Sequence, residues 1–160
     1  MADHTKIPSK NTDLRSKEMA GRLSPGKPVT ESLQIALIGP EEVLETKPLA
    51  NDLQKLLEDL GHDVKMMVAD RTAWEPDDGE KKPSNVAQDA DLVIVLGGDG
   101  SILRTARWMG YQQTPVLGVN LGRLGFLADF SPNEVEAAIN ELIAGRFRLV
   151  EHMMFETRVL

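Results

Sequence analysis

The 160-residue chain is 41% hydrophobic and 27% charged, a composition typical of a globular domain and not of a disordered or fibrous protein. It has no cysteine, which excludes disulfides and thiolate metal sites and favours a cytoplasmic location. The net charge of −7 divides into +3 in residues 1–30 and −10 in the remainder, so no nucleic-acid partner is expected, and no apolar run is long enough to span a membrane.

Apolar runs and glycine or proline residues mark the predicted elements along the chain. Residues 1–31 have no hydrophobic period and are predicted to form a disordered, basic tail. Five β-rich runs predict strands, at 33–38, 62–68, 91–96, 115–120 and 153–160. Three stretches with apolar residues at helical spacing predict helices, at 46–61, 101–109 and 131–145. A polar loop with a short helix near its end is expected at 70–87.

The predicted helices carry recognisable boundary signals. Pro48 lies in the first turn of the first helix, and Gly61 and Gly145 are placed to end the first and last helices. Ser131 and Glu134 have the spacing of a capping box. Strands that alternate with helices, and central strands that are almost entirely apolar, predict an α/β domain over residues 32–150, with a parallel sheet covered by helices on both faces.

The stretch LGGDGS, residues 96–101, joins a predicted buried strand to a predicted helix. Glycines let a ligand approach the backbone and permit positive φ, and a helix start offers unpaired N–H groups to an anion. Asp99 in this corner is predicted either to accept a proton from an attacking hydroxyl or to orient a phosphate-bound metal; its alternative role is a helix cap. The residues predicted to bind phosphate are Gly97, Gly98, Gly100 and Ser101.

A second glycine-rich segment, GVNLGRLGFL at residues 118–127, follows the next predicted strand. Together the two segments resemble the NAD kinase family (ATP-NAD kinases, grouped with AcoX kinases), in which a G-G-D-G-[ST] turn precedes a G-[IV]-N-x-G-x-L-G-F-L segment. GGDG alone is shared with lipid kinases and is similar to a phosphofructokinase motif, whereas the pair at this distance is specific. The resemblance covers roughly residues 33–160.

The resemblance implies a Rossmann-like domain and a reaction in which ATP, with Mg²⁺ or another divalent cation, phosphorylates the 2′-hydroxyl of the adenosine ribose of NAD to give NADP. It implies that Asp99 is the proton acceptor, that polyphosphate could replace ATP, and that the full-length protein is a homo-oligomer. No residue of this chain is assigned to a metal. The residues implied to contact NAD are Asp99, Gly100, Arg104, Asn120, Gly122, Gly125 and Phe126.

The chain also departs from the family pattern. The family has a second, β-rich domain with an Asn-Glu or Asn-Asp pair that does not occur here, and residues 151–160 are predicted to be the first strand of that domain. The chain is therefore expected to be an N-terminal portion that is inactive or weakly active alone. His152 stands where the family often has arginine. Two alternatives remain open: another GGDG kinase acting on a lipid or sugar phosphate, and a non-catalytic nucleotide-binding fragment.

Several side chains have two interpretations at this stage. Phe126 could stack on a base or pack in the core, and Arg123 could contact a phosphate or lie in solvent. Trp108 is expected to pack against its helix's apolar stripe. Because asparagine is nearly isosteric with aspartate, Asp99→Asn is expected to lower turnover and to leave the fold intact.

Overall fold

The computed structural model describes residues 22–46, 48–69, 89–110, 113–123 and 125–154. Four strands and four helices occur within these ranges. In chain order they are β1 (Gln34–Gly39), α1 (Glu41–Thr46), α2 (Pro48–Asp59), β2 (Asp63–Val68), β3 (Leu92–Gly97), α3 (Asp99–Met109), β4 (Val116–Asn120) and α4 (Val135–Ile143). The predicted strands before residue 121 are confirmed, with boundaries that differ by one residue.

The strands form one parallel sheet in the order β2-β1-β3-β4. The chain runs from β1 outward to β2 and then returns to the other side of β1 to form β3. The order therefore reverses between β1 and β3, and ligands of open α/β sheets bind beyond the carboxyl ends of the strands at such a point. At that end of the sheet Gly97, the last residue of β3, is paired with Asn120, the last residue of β4.

Alternate side chains of the central strands enter two separate hydrophobic layers. On one face of the sheet Ile94 and Leu96 pack with buried residues of α2 and α4, such as Leu53 and Ile139. On the other face Val93 and its neighbours pack with residues of α3, including Met109 and Trp108. The α/β fold with helices on both faces is therefore confirmed, as is the packing role of Trp108.

Helix boundaries follow the sequence signals only in part. Gly61 and Gly145 have φ of +88° and +76°, as expected for residues that end helices α2 and α4. The helix α1 was not expected. Helix α4 begins at Val135 and not at 131, because residues 132–134 form turns. The Glu134 carboxylate does accept hydrogen bonds from the Ser131 amide (2.9 Å) and hydroxyl (2.6 Å), so that hydroxyl is directed to the carboxylate and not to a helix N–H.

The predicted tail boundary at residue 31 is wrong for its described part, residues 22–31. Leu23 is buried in the core, and the amides of Gly26 and Val29 donate to the carbonyls of Gly145 and Ile143, each at 2.8 Å. These contacts attach the segment to the end of α4. The part of the predicted tail before Arg22 lies outside the described residues, as does the whole of the predicted loop at 70–87.

The chain after α4 is irregular as far as it is described. Residues 151–154 are exposed and belong to no helix or strand, so the strand expected from Met153 is absent at Met153 and Met154. The remainder of that stretch lies outside the described residues. Apart from the tail boundary, the division of the chain into a tail, an α/β domain and the start of a β domain therefore stays a prediction.

His62 is a buried histidine at the start of β2, at the amino end of the sheet. Its side chain is 7% exposed, its Nδ1 accepts the Leu33 amide N–H at 3.2 Å, and its buried Nε2 has no hydrogen-bond partner among the described residues. Burial lowers the pKa of His62 below its ordinary value of 6.5, although the adjacent Asp63 carboxylate acts in the opposite direction. The folded chain therefore favours the neutral imidazole.

The first prediction concerns the pH dependence of stability. Between the lowered pKa of His62 and 6.5 the unfolded chain binds the proton more readily, so the free energy of unfolding is expected to decrease as pH falls through this window. His62→Asn retains a hydrogen-bond acceptor for Leu33 without a group that titrates there. Urea unfolding at pH 7.5 and 5.5 should show a smaller loss of stability in the variant, and an equal loss in both proteins would contradict the assignment.

Candidate functional site

The GGDG turn lies at the carboxyl end of β3, where the strand passes directly into α3. Gly98 is the helix N-cap in extended conformation (φ −121°, ψ −167°), and its carbonyl accepts the amides of Ser101 (3.0 Å) and Ile102 (3.2 Å). Asp99 and Gly100 are therefore the first residues of the helix, two positions earlier than expected. The amides at such a helix start have no intrahelical acceptor, which leaves them available to an anion.

The Asp99 carboxylate contacts the second glycine-rich segment. Its Oδ2 accepts the backbone N–H of Phe126 at 2.8 Å, and its Oδ1 accepts those of Leu127 at 3.0 Å and Ala128 at 3.3 Å. The Phe126 hydrogen bond, followed by that of Leu127, holds the pKa of Asp99 below its usual range. Gly98, not Asp99, is the N-cap and no side-chain capping bond is present, so the structure does not support the interpretation of Asp99 as a helix cap.

Three glycines of the two segments are required by packing inside the chain. A Cβ on Gly97 would lie 2.7 Å from the Ser101 Cβ, and a Cβ on Gly118 would lie 3.0 Å from the Ala128 Cα. A Cβ on Gly125 would lie 2.6 Å from the carboxyl carbon of Asp99. The distances at Gly97 and Gly125 are shorter than a carbon–carbon contact allows and the distance at Gly118 is at the lower limit, so a larger residue at any of these positions would force its neighbours to shift, for reasons that involve no ligand.

At the other glycines of the two segments, packing within the described chain would not prevent a side chain. The glycines of the site do not use the positive φ that glycine permits, since the glycines with positive φ in the described chain are Gly26, Gly61, Gly110 and Gly145. A Cβ on Gly98, Gly100 or Gly122 would meet nothing within 4 Å. These three glycines therefore border open space, where the lack of a side chain lets an external group approach the backbone.

Asn120 shapes the turn after β4. Its side-chain amide donates to the Arg123 carbonyl at 2.9 Å, and its Oδ1 accepts the Gly122 amide N–H at 3.0 Å. This is the local pattern by which asparagine stabilises turns. The backbone N–H of Asn120 donates to the Phe130 carbonyl at 2.7 Å. The side chain predicted to contact NAD thus has a structural role in the turn that follows β4.

The other predicted side chains differ in their exposure. Phe126 is 95% exposed, so the alternative in which it packs in the core is wrong. Arg123 is exposed, and Arg104 is half-buried on α3. Arg104 lies five positions after Asp99, which places the two residues about 140° apart around the helix axis. The two side chains therefore do not share a face of α3.

The described residues offer no ready metal site. No group of three or more histidine, aspartate or glutamate side chains in those ranges could hold a metal ion. The Asp99 carboxylate is already engaged by three N–H groups, which occupy lone pairs that a cation would need. These residues do not fit a resident Mg²⁺, so any magnesium is treated below as part of the nucleotide substrate. No described helix has the length and apolar character needed to cross a membrane.

The sequence identified most of these residues but not the groups that they contact. Both glycine-rich segments were predicted from the sequence. The hydrogen bonds between Asp99 and the amides of Leu127 and Ala128 were not expected, because every residue except proline carries a backbone N–H and the sequence therefore does not single out these two as partners. The contact of Gly118 with Ala128 was missed for a similar reason. Only the glycine content of residues 118–125 pointed to close packing there.

Comparisons with known proteins agree on one family. A family model described as the ATP-NAD kinase N-terminal domain matches residues 29–147. An NAD kinase from Chromohalobacter salexigens is 41% identical over 129 residues, which are 78% of this chain and 42% of that relative. An NAD kinase from Rhodopirellula baltica is 52% identical over 73 residues, which are 46% of this chain and 24% of that relative.

A solved yeast NADH kinase complexed with NADH aligns with 74% of this chain and 40% of its own, at 26% identity and a TM-score of 0.48. The present chain spans less than half the length of each of these three relatives.

The second prediction follows from the Asp99 contacts. In Asp99→Asn one carboxylate oxygen becomes an NH₂ group, which would face a backbone N–H donor, so the variant is expected to unfold at a lower temperature than the wild type. This replaces the sequence-based expectation that the fold is unaffected. Asp129→Asn is a matched control, because it removes the same charge from an exposed residue just after the second glycine-rich segment. Calorimetry at pH 7 should show the larger decrease in Tm for Asp99→Asn; equal decreases would contradict the prediction.

Proposed function

The chain belongs to the ATP-NAD kinase N-terminal domain family, and on that premise we propose that the protein is an NAD kinase, which phosphorylates the 2′-hydroxyl of the adenosine ribose of NAD to give NADP. One observation of the structure carries the proposal. Three hydrogen bonds to Asp99 join the GGDG turn to the second glycine-rich segment, so the two motifs form one corner beyond the carboxyl ends of β3 and β4.

The chemistry of the corner supports the proposal of a dinucleotide site. The open backbone at Gly98 and Gly100, with the amides at the start of α3, suits the negatively charged phosphate groups of NAD or ATP. The exposed ring of Phe126 can stack on a planar base. We include Gly97, Ser101, Asn120, Gly122 and Gly125 as residues that shape this corner. We also propose Arg104 as a cation for the phosphate groups, although its side chain does not share the face of α3 that carries Asp99.

In the proposed reaction the ribose 2′-oxygen attacks the γ-phosphorus of ATP. The bond from that phosphorus to the bridging oxygen of ADP breaks, ADP leaves, and the hydroxyl proton is given up. Asp99 is the proposed proton acceptor. Its Oδ1 accepts two amides and its Oδ2 only one, so one acceptor position remains on Oδ2 for a substrate hydroxyl.

The phosphoryl donor in this proposal is the magnesium complex of ATP, with polyphosphate as a second candidate. Positioning and charge stabilisation dominate phosphoryl transfer, so residues on a second domain and a homo-oligomeric assembly are proposed to complete the site. The absence of cysteine supports the proposed cytoplasmic location.

An assay on the purified chain tests the function. NAD binding is measured by calorimetry, and NADP formation from NAD is followed with magnesium and either ATP or polyphosphate. We expect measurable NAD binding and slow NADP formation. Binding without turnover that a β-rich partner domain fails to restore would favour the non-catalytic alternative, and phosphorylation of diacylglycerol or a sphingoid base without NAD binding would contradict the proposal.

The third prediction concerns Phe126. Stacking of a base on an aromatic ring contributes about 1–3 kcal/mol, so Phe126→Ala should weaken NAD binding by roughly 10- to 100-fold. Because the ring is almost fully exposed, its removal should leave the Tm unchanged. Phe126→Trp is the matched control, since it retains an aromatic plane and should bind NAD nearly as the wild type does. Equal affinity of the alanine variant would exclude Phe126 from the base site.

A further inference from the structure

We propose that Asp99 and Gly125 form a latch that positions residues 125–128, and that NAD binding depends on this latch in addition to any contact of Asp99 with substrate. The inference rests on the proposed function for its ligand. The latch itself is defined by three hydrogen bonds between the start of α3 and a segment 27 to 29 residues later in the chain.

The geometry of the carboxylate explains how the segment is held. Three successive amides, of Phe126, Leu127 and Ala128, point at the two oxygens of one side chain. Hydrogen bonds to an ionised acceptor are stronger than bonds between neutral groups. The segment therefore has a fixed place relative to helix α3, and the backbone of Phe126 is held while its ring stands in solvent.

Gly125 is the residue that allows the latch to close. Any side chain on residue 125 would collide with both oxygens and the carboxyl carbon of Asp99. Gly122, in the preceding turn, has no neighbour within 4 Å of an added Cβ and no positive φ. A side chain at residue 125 would therefore collide with Asp99, whereas one at residue 122 would not. Alanine variants at these two glycines thus form a matched pair.

The charge state of Asp99 agrees with a positioning role. The three amides favour the ionised form and lower the pKa of the carboxyl group. A carboxylate with a lowered pKa remains a good hydrogen-bond acceptor at neutral pH but becomes a weaker base, while general base catalysis is most effective with a pKa near the working pH. Part of the effect of changing Asp99 should therefore arise from the position of the segment.

Hydrogen exchange tests the latch in the absence of ligand. In the wild-type chain the amides of Phe126, Leu127 and Ala128 should exchange slowly, and Gly125→Ala should accelerate their exchange although Asp99 is still present. Gly122→Ala should leave their exchange unchanged. Wild-type protection of these amides in Gly125→Ala would overturn the latch, whatever ligand the protein binds.

NAD binding tests the consequence of the latch. Gly125→Ala should weaken NAD binding by about tenfold or more, since a displacement of about 1 Å at a site has large effects. If Gly125 acts through Asp99, adding Gly125→Ala to Asp99→Asn should cost little further affinity. Faster exchange with unchanged NAD affinity would overturn the dependence of binding on the latch, as would fully additive losses. If the wild-type chain binds no NAD, the proposed function fails, and the exchange result still decides the latch.

Discussion

The architecture of the site depends on one interaction pattern, in which a single carboxylate accepts hydrogen bonds from three converging amides. Backbone N–H groups that turn away from a sheet or helix need an acceptor, and the segment after β4 has no strand partner for those of Phe126, Leu127 and Ala128. Asp99 supplies that acceptor from the first turn of α3. The negative charge is also favourable there, since a helix start carries partial positive charge.

The sheet brings Asp99 close enough to the segment after β4 to form these hydrogen bonds. Because β3 and β4 are parallel neighbours with Gly97 opposite Asn120, both glycine-rich segments leave the sheet at the same edge. Gly118 allows Ala128 to approach β4, and the amide of Leu121 donates to the Gly97 carbonyl at 3.1 Å. The two segments are thus joined by the strands below them and by Asp99 above. Because both the strands and Asp99 fix the two segments, the corner needs little rearrangement when a ligand binds. Less conformational entropy is then lost on binding.

Glycine has two distinct uses at this corner. Gly97, Gly118 and Gly125 lack a side chain because another part of the chain occupies the space, whereas Gly98, Gly100 and Gly122 face open space. The first group explains why the corner is compact, and the second explains how its backbone can be reached. The same residue type therefore supports packing on one side of the turn and access on the other.

The sequence by itself determined the α/β class, the four strands before residue 121 and the two motifs, because periodicity and glycine placement are local properties of the chain. It also correctly placed the ends of α2 and α4 at Gly61 and Gly145. Only the tertiary structure decided that Asp99 binds the amides of a distant segment, that Phe126 is exposed, and that residues 22–31 pack on α4. Each of these features depends on which surfaces come into contact once the sheet has formed. Because every residue except proline has a backbone N–H, the sequence does not indicate which acceptor a given N–H will bind.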